Sequence, residues 1–232
     1  MNTFAVLTVL AYLLGSVPAG HIITRLFLGV DLRQLGTGQP GTGNVWRLTS
    51  WRYGLPVAVF DISKGMVMVW AAQAAGLGIA QQVLVGTAAV AGHSWSVFLR
   101  FNGGRGMGTA AGVLAILPVI NPLTPWPTLS FFIIGIGGWL IFHTSPVSSL
   151  LGILSVPLLS WLFGEPDPVT LSLAALPLVI ILRRLTAPLS AEGAALSKGA
   201  LLYQRFLFDR DIKDSRAWMY RRTAEKSGDK PG

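Results

Sequence analysis

Two short runs in this 232-residue chain gather the residue types that hold phosphate. The first, residues 36–47, reads GTGQPGTGNVWR. Gly36, Gly38, Gly41 and Gly43 let the backbone bend so that successive N–H groups point inward, a nest suited to an anion. Thr37 and Asn44 add side-chain hydrogen bonds, and Arg47 adds a planar fork that matches phosphate oxygens. The competing account is a flexible surface loop carrying one cation. The second run, residues 100–106, reads RFNGGRG and leads directly into an apolar stretch. A helix beginning there presents unpaired N–H groups and the positive end of its dipole to a ligand. Gly103, Gly104 and Gly106 surround Arg105, so its head is expected to be free to approach an anion. Here the competing account is a tight turn whose glycines permit close helix packing.

Three further polar residues lie near these runs. His93 precedes Arg100 by seven positions, about two helical turns, and shares its face. It could contact a ligand, carry a proton or hydrogen-bond between helices. Asp61 and Lys64 are three apart on one helical face within an apolar stretch, where ionisable groups are costly unless paired or wet. They could pair with each other or line a polar cavity beneath the two glycine runs. With no cysteine, thiolate metal sites and disulfides are excluded, and His21, His93 and His143 are too scattered to read as a metal cluster. No metal or cofactor is expected.

The elements that must position these residues are apolar. Hydrophobic residues make up 52% of the chain and charged ones 12%, half the usual share for a soluble domain. Uncharged runs lie near residues 3–24, 53–74, 79–99, 106–122, 126–142, 147–163 and 169–182. This predicts an all-α polytopic membrane protein with about seven transmembrane helices. Pro18 is expected to bend the first helix near its end.

The cations set the orientation. Arg25, Arg33, Arg47 and Arg52 flank the first connection, Arg100 and Arg105 follow the third stretch, and the remainder run from Arg183 onward. Only Lys64 lies within a stretch. The turns near 75–78, 121–125 and 164–168 hold no Lys or Arg. Positive-inside bias then puts the N-terminus outside and the C-terminus in the cytoplasm. It also accounts for the net charge of +8 without invoking nucleic acid. No cation precedes Arg25, which argues against a cleaved signal peptide. No internal repeat of the kind transporters carry is visible. Residues 1–185 read as the transmembrane domain and 186–232 as a basic cytoplasmic tail. Within the tail, residues 201–220 mix apolar, aromatic and basic side chains, suiting an interfacial helix on anionic lipid or a solvated segment.

The motifs resemble those of the bacterial acyl-phosphate-dependent glycerol-3-phosphate acyltransferases, the PlsY-type family. GSVPAG at 15–20 is similar to its GSxPxG, and residues 36–47 to its GSGNIGATNxxR. DISKG at 61–65 is similar to its DxxKG, and Gly92-His93 followed by FLRFNGGRG at 98–106 to its GH and FxxFKGGKG. Order and spacing agree over about residues 12–112. The chain departs from the pattern at Thr37 (usually Ser), Gln39 (usually Asn) and Arg105 (usually Lys). The family's RHRENxxRLxxGTE segment after the last span is replaced by ILRRLTAP at 181–188. The resemblance implies transfer of a fatty acyl group from acyl phosphate to the 1-hydroxyl of glycerol 3-phosphate. The product would be lysophosphatidic acid, made at the bacterial inner membrane with membrane lipid as surroundings. It implies Thr37, Asn44, His93 and Arg105 as catalytic residues. Gly36, Gly38, Arg47, Gly103, Gly104, Arg105 and Gly106 would hold phosphate. The alternatives are a relative with another phosphorylated substrate and a non-catalytic binder of anionic lipid or small phosphates.

Overall fold

The computed structural model describes residues 2–142 and 145–220. His143, one of the three histidines, lies outside the described residues. All seven apolar stretches are helical. The first is α1 (Thr3–Ser16) and α2 (Ala19–Leu28), separated where Pro18 withholds a backbone donor. The others form α4 (Trp51–Ala74), α5 (Ile79–Ser94), α6 (Met107–Ile120), α7 (Trp126–Phe142) and α8 (Ser145–Leu162), then the consecutive pair α9 (Asp167–Leu173) and α10 (Ala175–Leu185). A short α3 (Thr42–Leu48) follows the first glycine run. The C-terminal segment adds α11 (Ala191–Ala194), α12 (Lys198–Phe208) and α13 (Ser215–Tyr220).

Four of these segments are long and apolar enough to cross a bilayer: residues Thr3–Leu28, Trp51–Ala74, Ile79–Leu99 and Asp167–Leu185. Helices α6, α7 and α8 are apolar but shorter. Large apolar side chains such as Val59, Trp70, Ile133, Leu140 and Leu151 face outward, while Asp61, Lys64, Gln82 and Ser94 are buried. That distribution suits a surface solvated by hydrocarbon.

Helix α1 lies along α5, α4 packs against both α5 and α6, and α7 runs along α8. The closest crossings depend on glycine. A Cβ on Gly92 would stand 2.0 Å from the Tyr12 carbonyl oxygen, and one on Gly112 would stand 1.9 Å from that of Ile62. Any side chain there would force the helices apart. One apolar core joins α4, α5, α6, α7, α8, α9 and α10 through Val69, Val90, Val113, Phe131, Ile153, Val169 and Leu176.

Candidate phosphate-binding site

The break at Pro18 leaves carbonyls of the last turn of α1 without helical partners, and they are used. Lys64 Nζ, from the middle of α4, donates to the carbonyls of Gly15 (3.2 Å) and Val17 (2.9 Å). The Ser96 hydroxyl donates to the Ser16 carbonyl, and the Tyr12 hydroxyl donates to Trp95 O at 2.6 Å. Lys64 is also ion-paired with Asp61 at 2.9 Å, and both side chains are essentially buried. His93 Nδ1 lies 3.4 Å from Asp61 Oδ1 and 3.4 Å from Lys64 Nζ. The two readings of Asp61 and Lys64 therefore coexist: they pair, and Asp61 also lines a cavity together with His93.

The first glycine run is tied down by Asn44. Its Oδ1 accepts from the Thr37 N–H at 3.2 Å, and its Nδ2 donates to the carbonyls of Leu35 (3.1 Å) and Gln39 (3.0 Å). Gly36 and Gly38 have φ of 59° and 70°, a left-handed backbone that glycine adopts without strain. The fold of the run aims Thr37, Gln39, Thr42 and Arg47 into the cavity, whereas Gly36 and Gly38 form the turn behind it.

The second run is a turn held from below. Arg100 and Phe101 both take positive φ, 53° and 61°, which costs a non-glycine residue of the order of 1 kcal/mol each. The Gly103 and Gly104 N–H groups donate to the carbonyls of Ser94 and His93 at 3.2 and 3.0 Å. Their own carbonyls accept from Arg183, Nη2 to Gly103 O at 2.7 Å and Nε to Gly104 O at 3.0 Å, and Asn102 Oδ1 accepts from Nη2 at 3.0 Å. A Cβ on Gly104 would fall 2.2 Å from His93 Nε2, so the turn and the imidazole are in direct contact. The backbone of Gly103 and Gly104 is thus spent on the turn. Arg105, Gly106, Met107 and Gly108, at the N-terminus of α6, face the cavity.

The cavity has a volume of about 600 Å³. Arg47 and Arg105 enter it from the two glycine runs, with Asp61 and His93 also on its wall. Ala58, Ile62, Met107 and Trp139 contribute an apolar side. The C-terminal segment contributes Phe208, Asp209, Arg210, Ser215 and Trp218. Arg105 is not free as its glycine neighbours suggested: its Nε donates to Asp209 Oδ2, and its Nη2 donates to the Asp209 carbonyl at 2.8 Å. Its Nη1 is buried without a partner among the described residues.

Residues 201–220 do not form one continuous helix. The chain leaves α12 at Asp209, which has φ of 55°, and resumes helix only at Ser215. Arg205 on α12 donates to both carboxylate oxygens of Asp211 (2.7 and 3.0 Å) and to the carbonyls of Leu185 (2.9 Å) and Pro188 (3.2 Å). Burial pushes the Asp211 carboxyl up, but hydrogen bonds from Arg205 and Ser190 outweigh it and leave its pKa lowered. Arg184 joins the same network, donating to Phe206 O at 2.9 Å and to Pro146 O at 2.7 Å. Near the other glycine run, the hydrogen bond from Arg33 draws Asp31 down to about 2.

Thr37, Asn44, Arg47, His93, Arg105 and Gly106 therefore converge on one cavity, although they come from separate parts of the sequence. Gly36, Gly38, Gly103 and Gly104 sit in the turns that present them. The sequence reading missed Asp209 and Arg210 at the site and Arg183 beneath it. Arg183 and Arg184 looked like cations marking membrane orientation, yet both are buried. Nothing near Asp209 in the sequence signals that the tail folds back.

The glycerol-3-phosphate acyltransferase family pattern matches residues 5–187. Glycerol-3-phosphate acyltransferase 4 of Dehalococcoides mccartyi (strain CBDB1) is 37% identical over 230 residues, covering 95% of each chain. A glycerol-3-phosphate acyltransferase of Thermus thermophilus is 41% identical over 167 residues, covering 71% of this chain and 79% of its own. Among solved structures, the glycerol 3-phosphate form of PlsY (YgiH), an integral membrane glycerol 3-phosphate acyltransferase, aligns with a TM-score of 0.70 at 32% identity. It covers 79% of this chain and 88% of that one. The same enzyme in its lysophosphatidic acid form aligns at 0.68. The chain belongs to the glycerol-3-phosphate acyltransferase family.

Proposed function

We propose that the chain transfers a fatty acyl group from acyl phosphate to the 1-hydroxyl of glycerol 3-phosphate. The observation that carries this reading is the convergence of Arg47 and Arg105 on one cavity, beside Asp61 and His93, in a chain of this family. Both substrates bear phosphate, and two guanidiniums at the N-terminus of α6 and on α3 suit two anionic groups. The apolar side formed by Ala58, Ile62 and Trp139 suits the first carbons of an acyl chain.

In this reading the 1-hydroxyl oxygen attacks the acyl carbonyl carbon, the bond from that carbon to the phosphate oxygen breaks, and inorganic phosphate leaves. The hydroxyl proton passes to a phosphate oxygen. An acyl phosphate is a mixed anhydride, so no enzyme nucleophile is needed, and catalysis rests on positioning and on stabilising charge. Arg105 neutralises charge on the leaving phosphate and Arg47 holds the second phosphate. The Thr37 hydroxyl orients the acceptor, and Asn44 keeps the loop that carries it in shape. His93, backed by Asp61, steadies the turn at Gly104 and borders the acceptor.

The surroundings follow from the same reading. The three shorter apolar helices join the four long ones as seven spans, with the N-terminus outside and the glycine runs and C-terminal segment on the cytoplasmic side of a bacterial inner membrane. Purified protein given palmitoyl phosphate and labelled glycerol 3-phosphate should form lysophosphatidic acid. Palmitoyl-coenzyme A should not replace the donor, and Arg105→Ala should lower turnover by about 100-fold or more. A folded wild type that yields no product with the acyl phosphate, or an Arg105→Ala variant as active as wild type, would refute the reading.

A further inference from the structure

We propose that Arg210, in the C-terminal segment beyond the family match that ends at residue 187, is a third phosphate-binding residue of this site. The inference rests on the acyl-transfer reading for the identity of the phosphate, but not for the binding itself. Three observations meet at this residue. It lines the cavity that receives Arg47 and Arg105. Its Nε is buried and has no hydrogen-bond partner among the described residues. Its guanidinium is seated over the Phe208 ring, 5.1 Å from the centroid, which holds the fork in place.

A buried guanidinium N–H without an acceptor is costly, and a small shift of the side chain that brings it to an anionic oxygen in the cavity relieves that cost. Arg105 Nη1 stands in the same condition at the same cavity, so the site presents two cations with a donor each to spare. The segment is anchored for this purpose. Arg205 clasps Asp211 and the carbonyls of Leu185 and Pro188, and the left-handed turn at Asp209 directs the chain over the cavity. Asp209 holds Arg105 through its carboxylate and carbonyl, so the two arginines stand on a common support at the cavity. The phosphate belongs either to the acceptor or to the acyl donor, and kinetics separate the two.

The test uses the full chain in detergent with Arg210→Gln and Arg210→Lys, and with Lys213→Ala, an exposed neighbour, as control. Initial rates are measured with each substrate varied in turn. Arg210→Gln should raise KM for one substrate by about 10- to 100-fold with kcat within about threefold, the loss expected for a charged hydrogen bond. Arg210→Lys should fall between, and Lys213→Ala should match wild type. A rise confined to glycerol 3-phosphate assigns the acceptor phosphate; a rise confined to palmitoyl phosphate assigns the donor. Unchanged KM for both, or a fall in kcat alone, overturns the proposal. A second readout does not need turnover: about 10 mM glycerol 3-phosphate or inorganic phosphate should raise the Tm of wild type by more than that of Arg210→Gln. Equal shifts in the two proteins with both ligands, or none in wild type with either, overturn it even if the acyl-transfer reading has already failed.

Discussion

Lys64 is the residue whose removal should harm the fold most. It is 2% exposed, and its ammonium has three jobs: it pairs with Asp61 at 2.9 Å, caps the carbonyls of Gly15 and Val17, and approaches His93 Nδ1. Lys64→Met keeps most of the stem and deletes the charge. Asp61 is then left buried with His93 as its remaining partner in this cluster. Breaking a buried pair from one side costs about 3–5 kcal/mol. The Val17 carbonyl still accepts from Ala19 N–H, but the Gly15 carbonyl loses its donor, adding about 1–3 kcal/mol. The expected destabilisation is therefore at least about 4 kcal/mol. It can be measured by circular dichroism as the detergent-purified protein is unfolded in mixed micelles of increasing SDS fraction. Asp61→Asn should cost a comparable amount. The double variant should be more stable than the sum of the singles predicts, by about 2 kcal/mol or more. A Lys64→Met variant within about 1 kcal/mol of wild type, or additive single effects, would refute the claim that this pair holds the break in the first helix.

Two other perturbations probe the loops. Gly104→Ala would place a methyl 2.2 Å from His93 Nε2, so the imidazole must move. Turnover should fall by about 10- to 100-fold from that misplacement, and an Ala variant with wild-type kinetics would contradict the contact. Asp31 has its pKa depressed to about 2 by Arg33, so its contribution is present above the unfolded value near 4 and lost as pH falls through about 2. Because the pair is partly exposed, solvent screening limits the effect to about 1 kcal/mol or less. Asp31→Asn should be less stable than wild type at about pH 6, with the two converging near pH 2. A gap that does not close on acidification would argue against the ion pair as its source.

Much of the site was legible because its residues carry chemistry in compact runs. The glycine spacing at 36–43 and 103–106 announced two turns, and the adjacent arginines announced an anion. The seven apolar stretches announced helices, and Pro18 announced the break in the first. What the sequence could not convey is how polar groups are shared out at long range. Asn44 looked like a substrate contact, yet its amide is occupied by Leu35, Gln39 and Thr37. Gly103 and Gly104 looked like a cradle, yet their N–H groups go to Ser94 and His93. Arg183 has the composition of an interfacial cation, and only the fold shows it under the glycine turn, 79 residues from Gly104. Asp209 pairs with Arg105 across 104 residues, a distance at which local pattern carries no information.

The most direct measurement is a crystal structure of the protein grown in lipid cubic phase with glycerol 3-phosphate. The account predicts the phosphate inside the cavity, within hydrogen-bond distance of the Arg47 guanidinium, and the 1-hydroxyl on the side bordered by His93 and Ile62. A phosphate bound elsewhere, with the Arg47 and Arg105 cavity still empty at saturating ligand, would contradict it.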